Sequence, residues 1–295
     1  MDTRRDQTIL ALALTTLMSL GAAQPAHAQQ PPAIAVAEAG QLQELVLRDG
    51  TRAVGRVEKV ANEHVIFRTD AGAVIDVEVS QVLTVGLAKG EMHEGEYWPE
   101  DSNPTRLFFG PTARSLKKSQ SYFGVYEFVM PLVQVGITDR VSIGGGAFPF
   151  FCSDCGLNAW FTPKVQVLST EKTQAAVGMM HFTFDGNFGI AYAVATHGDA
   201  NAAVTVGLGV PYSHGGKKTG DGVVMIGGER RVSRRVKLIT ENYLFHGGDF
   251  SLASFGVRVL GDRLSADFAL GTAISGNSGG IFPVVNAVWT FGTRR

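Results

Sequence analysis

A serine in a glycine-rich stretch is where the sequence most resembles a nucleophile site. Ser278 lies within 276–280, and its hydroxyl could attack a carbonyl carbon if a His base and an Asp assisted it. His197 and Asp221 precede it in a suitable order. No strand motif of a hydrolase surrounds them, and a glycine-rich hairpin loop is a far more common use of such residues. We therefore predict no catalytic residue here.

Two enzyme classes use residues of these types. The 276–280 stretch matches the nucleophile loop of trypsin-like periplasmic proteases, but 281–295 is too short to complete the second barrel of such an enzyme. Barrel hydrolases acting on lipid or peptide use polar pairs at the outer rim, and such pairs also arise by chance on polar loops. We keep that hydrolase as an alternative. The residues concerned are His181 with Thr183 and Asp185, His246 with Asp249, and His214.

Two short clusters could bind a metal or form a disulfide. His93, Glu94 and Glu96 could chelate a metal, but a solvated acidic loop is the more common structure, and we predict no metal and no cofactor. Cys152 and Cys155 could be a redox pair in the cytosol. In an oxidising compartment they indicate a local disulfide that pins a loop.

Charged residues occur on the polar faces of predicted strands. Both signs are present, which favours ion pairs that fill a narrow barrel, whereas an open selective pore favours one sign. The basic run 230–237 surrounds a tight turn, where it would meet anionic headgroups or water. The candidate lumen charges are Glu127, Lys164, Glu229, Arg231, Lys237, Glu241, Arg258 and Asp267.

The N-terminus predicts export from a bacterial cytoplasm. Arg4 and Arg5 precede a short apolar run over 9–20, and 26–28 is a small-residue cleavage site, so 1–28 reads as a signal peptide. The sequence has no later run of about 18 apolar residues, so it predicts no membrane-spanning helix. The net charge of −1 gives no basic surface for nucleic acid, and we predict no nucleic-acid partner.

A small β-domain is predicted over 41–85, between linkers at 29–40 and 86–104. Short alternating strands and an Asp49–Gly50 turn indicate about five strands. Leu47-x-Asp49-Gly50, followed by Gly55 and a second glycine turn, resembles the Sm-like fold, an SH3-like barrel. The base-binding Asn loop of RNA-binding Sm proteins has no clear counterpart. We therefore expect a periplasmic module that binds a protein or the cell wall.

The region 105–292 predicts an antiparallel up-and-down barrel of about 12 strands. Tight polar turns alternate with longer loops, as in bacterial outer-membrane barrels. The termini then share one end, which places the small domain in the periplasm. The tight turns are 138–140, 169–172, 198–201, 233–235 and 261–263, and the loops are 115–121, 150–157, 185–187, 212–222, 246–249 and 275–280.

Strand alternation does not by itself say which face meets water. An apolar face could line a soluble core or meet lipid. The small polar face, rich in Gly, Ala and Ser, favours a packed lumen and hence lipid outside. Aromatic residues near predicted strand ends also resemble the interfacial girdles of membrane barrels. They are Phe108, Phe109, Tyr122, Phe123, Phe148, Phe150, Trp160, Trp289 and Phe291.

A wider resemblance agrees with this interpretation. The stretches 103–114 and 136–146 resemble uncharacterised bacterial envelope proteins that look like outer-membrane barrels. We therefore predict an all-β, non-enzymatic outer-membrane protein, structural or a narrow passive pore, in contact with outer-membrane lipid. A barrel hydrolase and a soluble periplasmic β-protein are the alternatives.

Overall fold

The computed structural model describes residues 34, 38, 41–148, 158–183, 187–213, 222–246, 250–275 and 278–291. The described chain is almost wholly β-strand, with one 3-10 turn at Val79–Gln81, so the predicted all-β class is confirmed. It divides into two units, Met1–Ala88 and Lys89–Arg295. The predicted signal peptide at 1–28 lies outside the described residues. No helix among the described residues is long and apolar enough to cross a membrane.

The first unit contains a five-stranded antiparallel sheet. Its spatial order is β4-β3-β2-β1-β5. Inward-facing apolar residues alternate with exposed polar ones along the strands, and Leu45, Val57, Val65, Phe67 and Val82 form its core. The strands are β1 (Gln43–Leu47), β2 (Arg52–Ala61), β3 (His64–Thr69), β4 (Val74–Glu78) and β5 (Val82–Leu87).

The second unit opens with a hairpin inside the predicted linker 86–104. Strands β6 (Gly90–His93) and β7 (Glu96–Pro99) pair antiparallel. The His93 ring lies 4.2 Å from the Trp98 ring, and the Trp98 indole donates to Glu96 over 3.3 Å. This stretch is therefore ordered β-structure.

The rest of the second unit is a closed antiparallel barrel. Strand β20 pairs with β8, and each strand pairs with its neighbours in chain order. Strands β11 and β12 share one position between β10 and β13, so the barrel has 12 positions, as predicted. The strands are β8 (Ser121–Tyr126), β9 (Met130–Gly136), β10 (Val141–Ala147), β11 (Ala159–Phe161), β12 (Lys164–Ser169), β13 (Thr173–Phe182), β14 (Phe188–Gly198), β15 (Ala202–Ser213), β16 (Gly222–Ser233), β17 (Val236–His246), β18 (Phe250–Leu260), β19 (Leu264–Ser275) and β20 (Ser278–Phe291).

The strand number is right although the first strands differ from the prediction. The barrel starts at Ser121, not at 105, and the predicted long loop over 115–121 leads into the first strand. A hairpin, β8–β9, replaces the missing strand. Its turn holds Glu127 and Phe128 at φ of 49° and 61°. Neither residue is a usual turn former, so the sequence carried no signal for this turn.

The connections define two ends of the barrel. Strands β9–β10, β12–β13, β14–β15, β16–β17 and β18–β19 are joined by short connections at one end, which we name the turn end. The opposite ends of these strands form the other end of the barrel, which we name the loop end. Strand β8 starts and β20 finishes at the turn end, so the chain enters and leaves the barrel there.

The barrel carries apolar side chains outside, and its inner face carries polar and charged side chains beside aromatic and apolar ones. On β15, Val204, Val206, Leu208 and Val210 are 45% to 63% exposed. The intervening Thr205 is buried at 1%. This is the reverse of a soluble barrel, in which the apolar face of each strand lines the core.

Candidate functional site

The interior of the barrel is occupied by the chain that precedes its first strand. We name residues 101–116 the plug. A tight reversal shapes it, because Leu107 N–H donates to Gly110 O over 2.8 Å and Thr112 N–H donates to Thr105 O over 3.1 Å. Its buried residues are Asp101, Asn103, Thr105, Arg106, Leu107, Phe108, Gly110, Thr112, Ala113 and Leu116.

An arginine–aspartate–arginine triad joins the plug to β18 and β19. Arg258 and Asp267 form a bidentate pair, with contacts of 2.6 and 3.2 Å. Arg106 of the plug reaches the same carboxylate at 2.7 Å. The Arg258 guanidinium also donates to the Leu107 carbonyl over 2.6 Å. Because all three charged groups are buried, each depends on the others for charge compensation.

A carboxylate on β17 binds the reversal of the plug. Glu241 accepts hydrogen bonds from the backbone N–H groups of Phe108, Phe109 and Gly110, at 2.6, 3.0 and 3.0 Å. The Tyr243 hydroxyl donates to it over 2.7 Å. Successive N–H groups that converge on one anion make a charge-assisted contact, which is stronger than a neutral hydrogen bond. The loop and the strand are therefore held together by backbone groups as well as side chains.

A second ion-pair cluster lies nearer the turn end. Lys237 contacts Asp101 of the plug at 2.6 Å and Glu229 at 3.0 Å. Arg114 of the plug also pairs with Glu229. Burial raises the pKa of the Asp101 carboxyl, but Lys237 and Arg258 outweigh burial and hold that pKa below its ordinary value. The contact between Asp101 and Lys237 fixes the start of the plug.

Lys164 of β12 binds backbone carbonyl groups of the plug, whereas the other buried lysine, Lys237, binds carboxylates. Its ammonium donates to the carbonyl oxygens of Thr105, Thr112 and Arg114 at 3.1, 3.0 and 2.7 Å. These contacts use the three donors of a lysine. The Gln166 amide donates to the Ala113 carbonyl over 2.9 Å, so β12 contacts both the start and the end of the reversal.

Glycine makes room for the apolar part of the plug. Leu107 and Phe108 pack with Ile239 and Val284. A Cβ added to Gly227 would lie 2.1 Å from the Leu107 Cδ1, so even a methyl group there would displace the Leu107 side chain. The small polar face noted in the sequence therefore fits around the plug.

The structure brings most of the predicted lumen charges together. Seven are buried in the barrel, and an eighth, Glu127, lies in the β8–β9 turn. Arg231 donates to the Pro99 carbonyl over 2.7 Å and stacks on the Trp98 ring. Thus Arg231 and Lys237 of the predicted basic rim point inward. The buried seven are Lys164, Glu229, Arg231, Lys237, Glu241, Arg258 and Asp267.

The sequence interpretation missed the plug residues that complete these pairs. The sequence pattern places Asp101 in the linker 86–104. It places Arg106 and Arg114 in the first strand of the predicted barrel. Two prolines, Pro104 and Pro111, interrupt this stretch, and they could have indicated that it does not continue as a strand.

The predicted aromatic girdle is only partly on the outer surface. Phe123, Trp289 and Phe291 are exposed. Phe108, Tyr122 and Trp160 are buried in the barrel, because neighbouring positions of a strand face opposite sides and because Phe108 belongs to the plug. Phe109 and Phe148 are partly buried against the interior cluster, and Phe150 lies outside the described residues.

Two of the candidate hydrolase residues, Ser278 and His197, lie at opposite ends of the barrel. Ser278 starts β20 at the loop end, whereas His197 lies at the turn end and contacts Thr173 over 2.9 Å. His181 contacts the Tyr212 hydroxyl over 3.0 Å. No group of three metal-ligating side chains occurs in the described ranges. Asp185, His214, Asp221, Asp249, Cys152 and Cys155 lie outside the described residues.

Comparison with known proteins gives only distant likenesses. No family model matches the chain, and no curated protein matches it. The KdgM porin in complex with disordered oligogalacturonate is 6% identical, with a TM-score of 0.45 over 59% of this chain and 98% of that one. Outer-membrane expressed OmpT of Vibrio cholerae is 12% identical, with a TM-score of 0.33 over 85% of this chain and 95% of that one. These likenesses are too distant to assign a function.

Proposed function

We propose that this chain is a non-enzymatic outer-membrane barrel with a structural role, closed by its own plug, and that it holds the small β-domain in the periplasm. The observation that carries the proposal is the inverted barrel. Its outer face is apolar, and its inner face carries charged side chains that pair with one another and with the plug.

The outer face supports a location in lipid. Strands β13 to β20 have 10 to 14 residues, and a tilted membrane strand needs about 9–11. A soluble protein rarely exposes such a continuous apolar surface, because water penalises it. Closing the sheet also leaves no unpaired edge in hydrocarbon.

The two ends support an orientation. Short turns in bacterial outer-membrane barrels face the periplasm, and both ends of the barrel chain lie at the turn end here. Export by a signal peptide over 1–28 would deliver the chain to that compartment. The strand order of the first unit supports the Sm-like or SH3-like interpretation of that domain. A periplasmic protein or the cell wall is its proposed partner.

The filled interior favours a structural role over an open pore. Buried plug residues bond to five of the barrel strands, β12, β14, β17, β18 and β19, through Lys164, Thr196, Lys237, Glu241, Arg258 and Asp267. A passive pore would require the plug to leave these contacts.

The test combines location and conductance. Membrane fractionation of the exported full chain should place it in the outer membrane, and unboiled protein should migrate faster on a gel than boiled protein. In a planar bilayer the folded protein should show little or no steady conductance. Recovery as a soluble protein without a gel shift would overturn the membrane proposal. A steady open conductance would overturn the closed barrel alone.

A further inference from the structure

A cavity lies beside the plug in the barrel interior. It has a volume of about 290 Å³ and lies between the plug and the wall formed by β8 to β14. Its lining is mainly aromatic and apolar, with Tyr126, Leu132, Trp160, Phe182 and Tyr192 among the contributors. Such a space is near the lower end of the range for small-molecule sites, about 300–1,000 Å³.

The cavity wall holds a buried hydrogen-bond donor with no acceptor. Trp160 is 5% exposed, and its indole N–H has no partner among the described residues. Its ring is held in place by edge-on contacts with Phe148 and Phe182, at 5.0 and 6.1 Å between ring centres. A buried indole N–H normally finds a partner, because leaving it unpaired costs free energy.

An acceptor without a partner lines the same cavity. It is Oε1 of Glu127, in the β8–β9 turn, and it too has no hydrogen-bond partner among the described residues. The two basic side chains in the lining, Arg106 and Lys164, are already committed to Asp267 and to plug carbonyls. Among the lining residues, the buried polar atoms that lack a partner in the described part of the chain are thus one donor, on Trp160, and one acceptor, on Glu127.

We propose that this cavity binds a small, neutral ring alcohol, with its ring among the aromatic side chains and its hydroxyl bonded to the Trp160 indole or the Glu127 carboxylate. A hydroxyl both donates and accepts, so it can satisfy either group. A carboxylate ligand would meet Glu127 with like charge, and a pure hydrocarbon would leave the Trp160 donor unpaired. The inference goes beyond the structural role proposed above, and it concerns the interior alone.

The test uses a fluorinated naphthol and a fluorinated methylnaphthalene of the same shape without the hydroxyl. Binding to the purified full chain is followed by fluorine NMR line broadening. A Met180→Trp variant, which fills the cavity, gives the background from detergent and from the outer surface. The native chain should bind naphthol saturably above that background and more tightly than methylnaphthalene.

The Trp160→Phe variant tests the hydrogen bond. It should weaken naphthol binding roughly 3- to 10-fold, as expected for one net hydrogen bond, and leave methylnaphthalene binding unchanged. Trp289→Phe on the outer face is the matched control and should change neither. Each variant is first checked for the gel shift of the folded barrel. Equal binding of the two probes, or binding no greater than in Met180→Trp, would overturn the proposal. Neither result depends on whether the barrel lies in the outer membrane.

Discussion

The two sides of the barrel interior contact the plug in different ways. Strands β17 to β19 provide charged groups, among them Lys237, Glu241, Arg258 and Asp267, which bond directly to the plug. Strands β8 to β11 and β13, which we name the aromatic wall, provide mainly aromatic and apolar groups and leave the cavity. The plug is therefore fixed against one wall and stands away from part of the other. The ion pairs and charge-assisted hydrogen bonds position the plug, and the aromatic wall sets the shape of the cavity beside it.

The largest effect should come from breaking the charged triad. Asp267→Ala leaves Arg258 and Arg106 buried without their carboxylate, and we expect a loss of about 3–5 kcal/mol of stability. The midpoint of the gel shift on heating, together with urea unfolding of the folded barrel, measures it. Glu171→Ala, in an exposed turn, is the control and should change little. A loss as small as the control's would mean that the charged wall does not hold the plug.

Removing the Glu241 carboxylate should have a smaller effect. Glu241→Ala leaves three backbone N–H groups of the plug without their acceptor, at a cost of about 1.5–3 kcal/mol. The plug reversal should loosen, so transient conductance events in a planar bilayer should become more frequent than in the native chain. Unchanged stability with a silent bilayer record would contradict the role assigned to this contact.

A steric change tests how closely the plug fits. Gly227→Ala places a methyl group against Leu107, and overpacking of this kind costs about 1–3 kcal/mol. The double variant Gly227→Ala with Leu107→Ala should recover part of that loss, because the two side chains compete for the same space. Strictly additive losses would show that Leu107 does not occupy this position in solution.

The smallest effect is expected on the aromatic wall. Met180→Ala enlarges an existing cavity and removes a side chain that is only partly buried. We therefore expect a loss of stability below about 1.5 kcal/mol, measured by urea unfolding and by the gel-shift midpoint on heating. A loss as large as that of Asp267→Ala would remove the contrast between the two walls.

Strand alternation carried most of what the sequence could predict. The period-two pattern identified the inward positions of Arg258 and Asp267 without a structure, because each strand residue faces one side only. It also predicted the barrel and its strand number. The five strands of the first unit follow from the same pattern, whereas its Sm-like identity and its partner stay predictions.

The plug could not be predicted in this way, because apolar and polar residues do not alternate regularly along it. From the sequence, Phe108 and Phe109 resemble the end of a strand. Phe108 is buried because the closed barrel surrounds it, and the local sequence does not predict that. Arg106 lies 161 residues from Asp267, so no local rule pairs them. The β8–β9 turn was not predicted for a different reason. Glu127 and Phe128 adopt positive φ there, although neither residue type usually forms turns.

The distance along the chain between the plug and its partners also sets an order of folding. Arg106 is synthesised early, and the carboxylate that neutralises it belongs to β19, the next to last strand. Until that strand arrives, the plug has a cation without its buried partner, and the ring is still open between β8 and β20. Seating of the plug and closure of the ring are therefore both late events, and a chain arrested before β19 can complete neither.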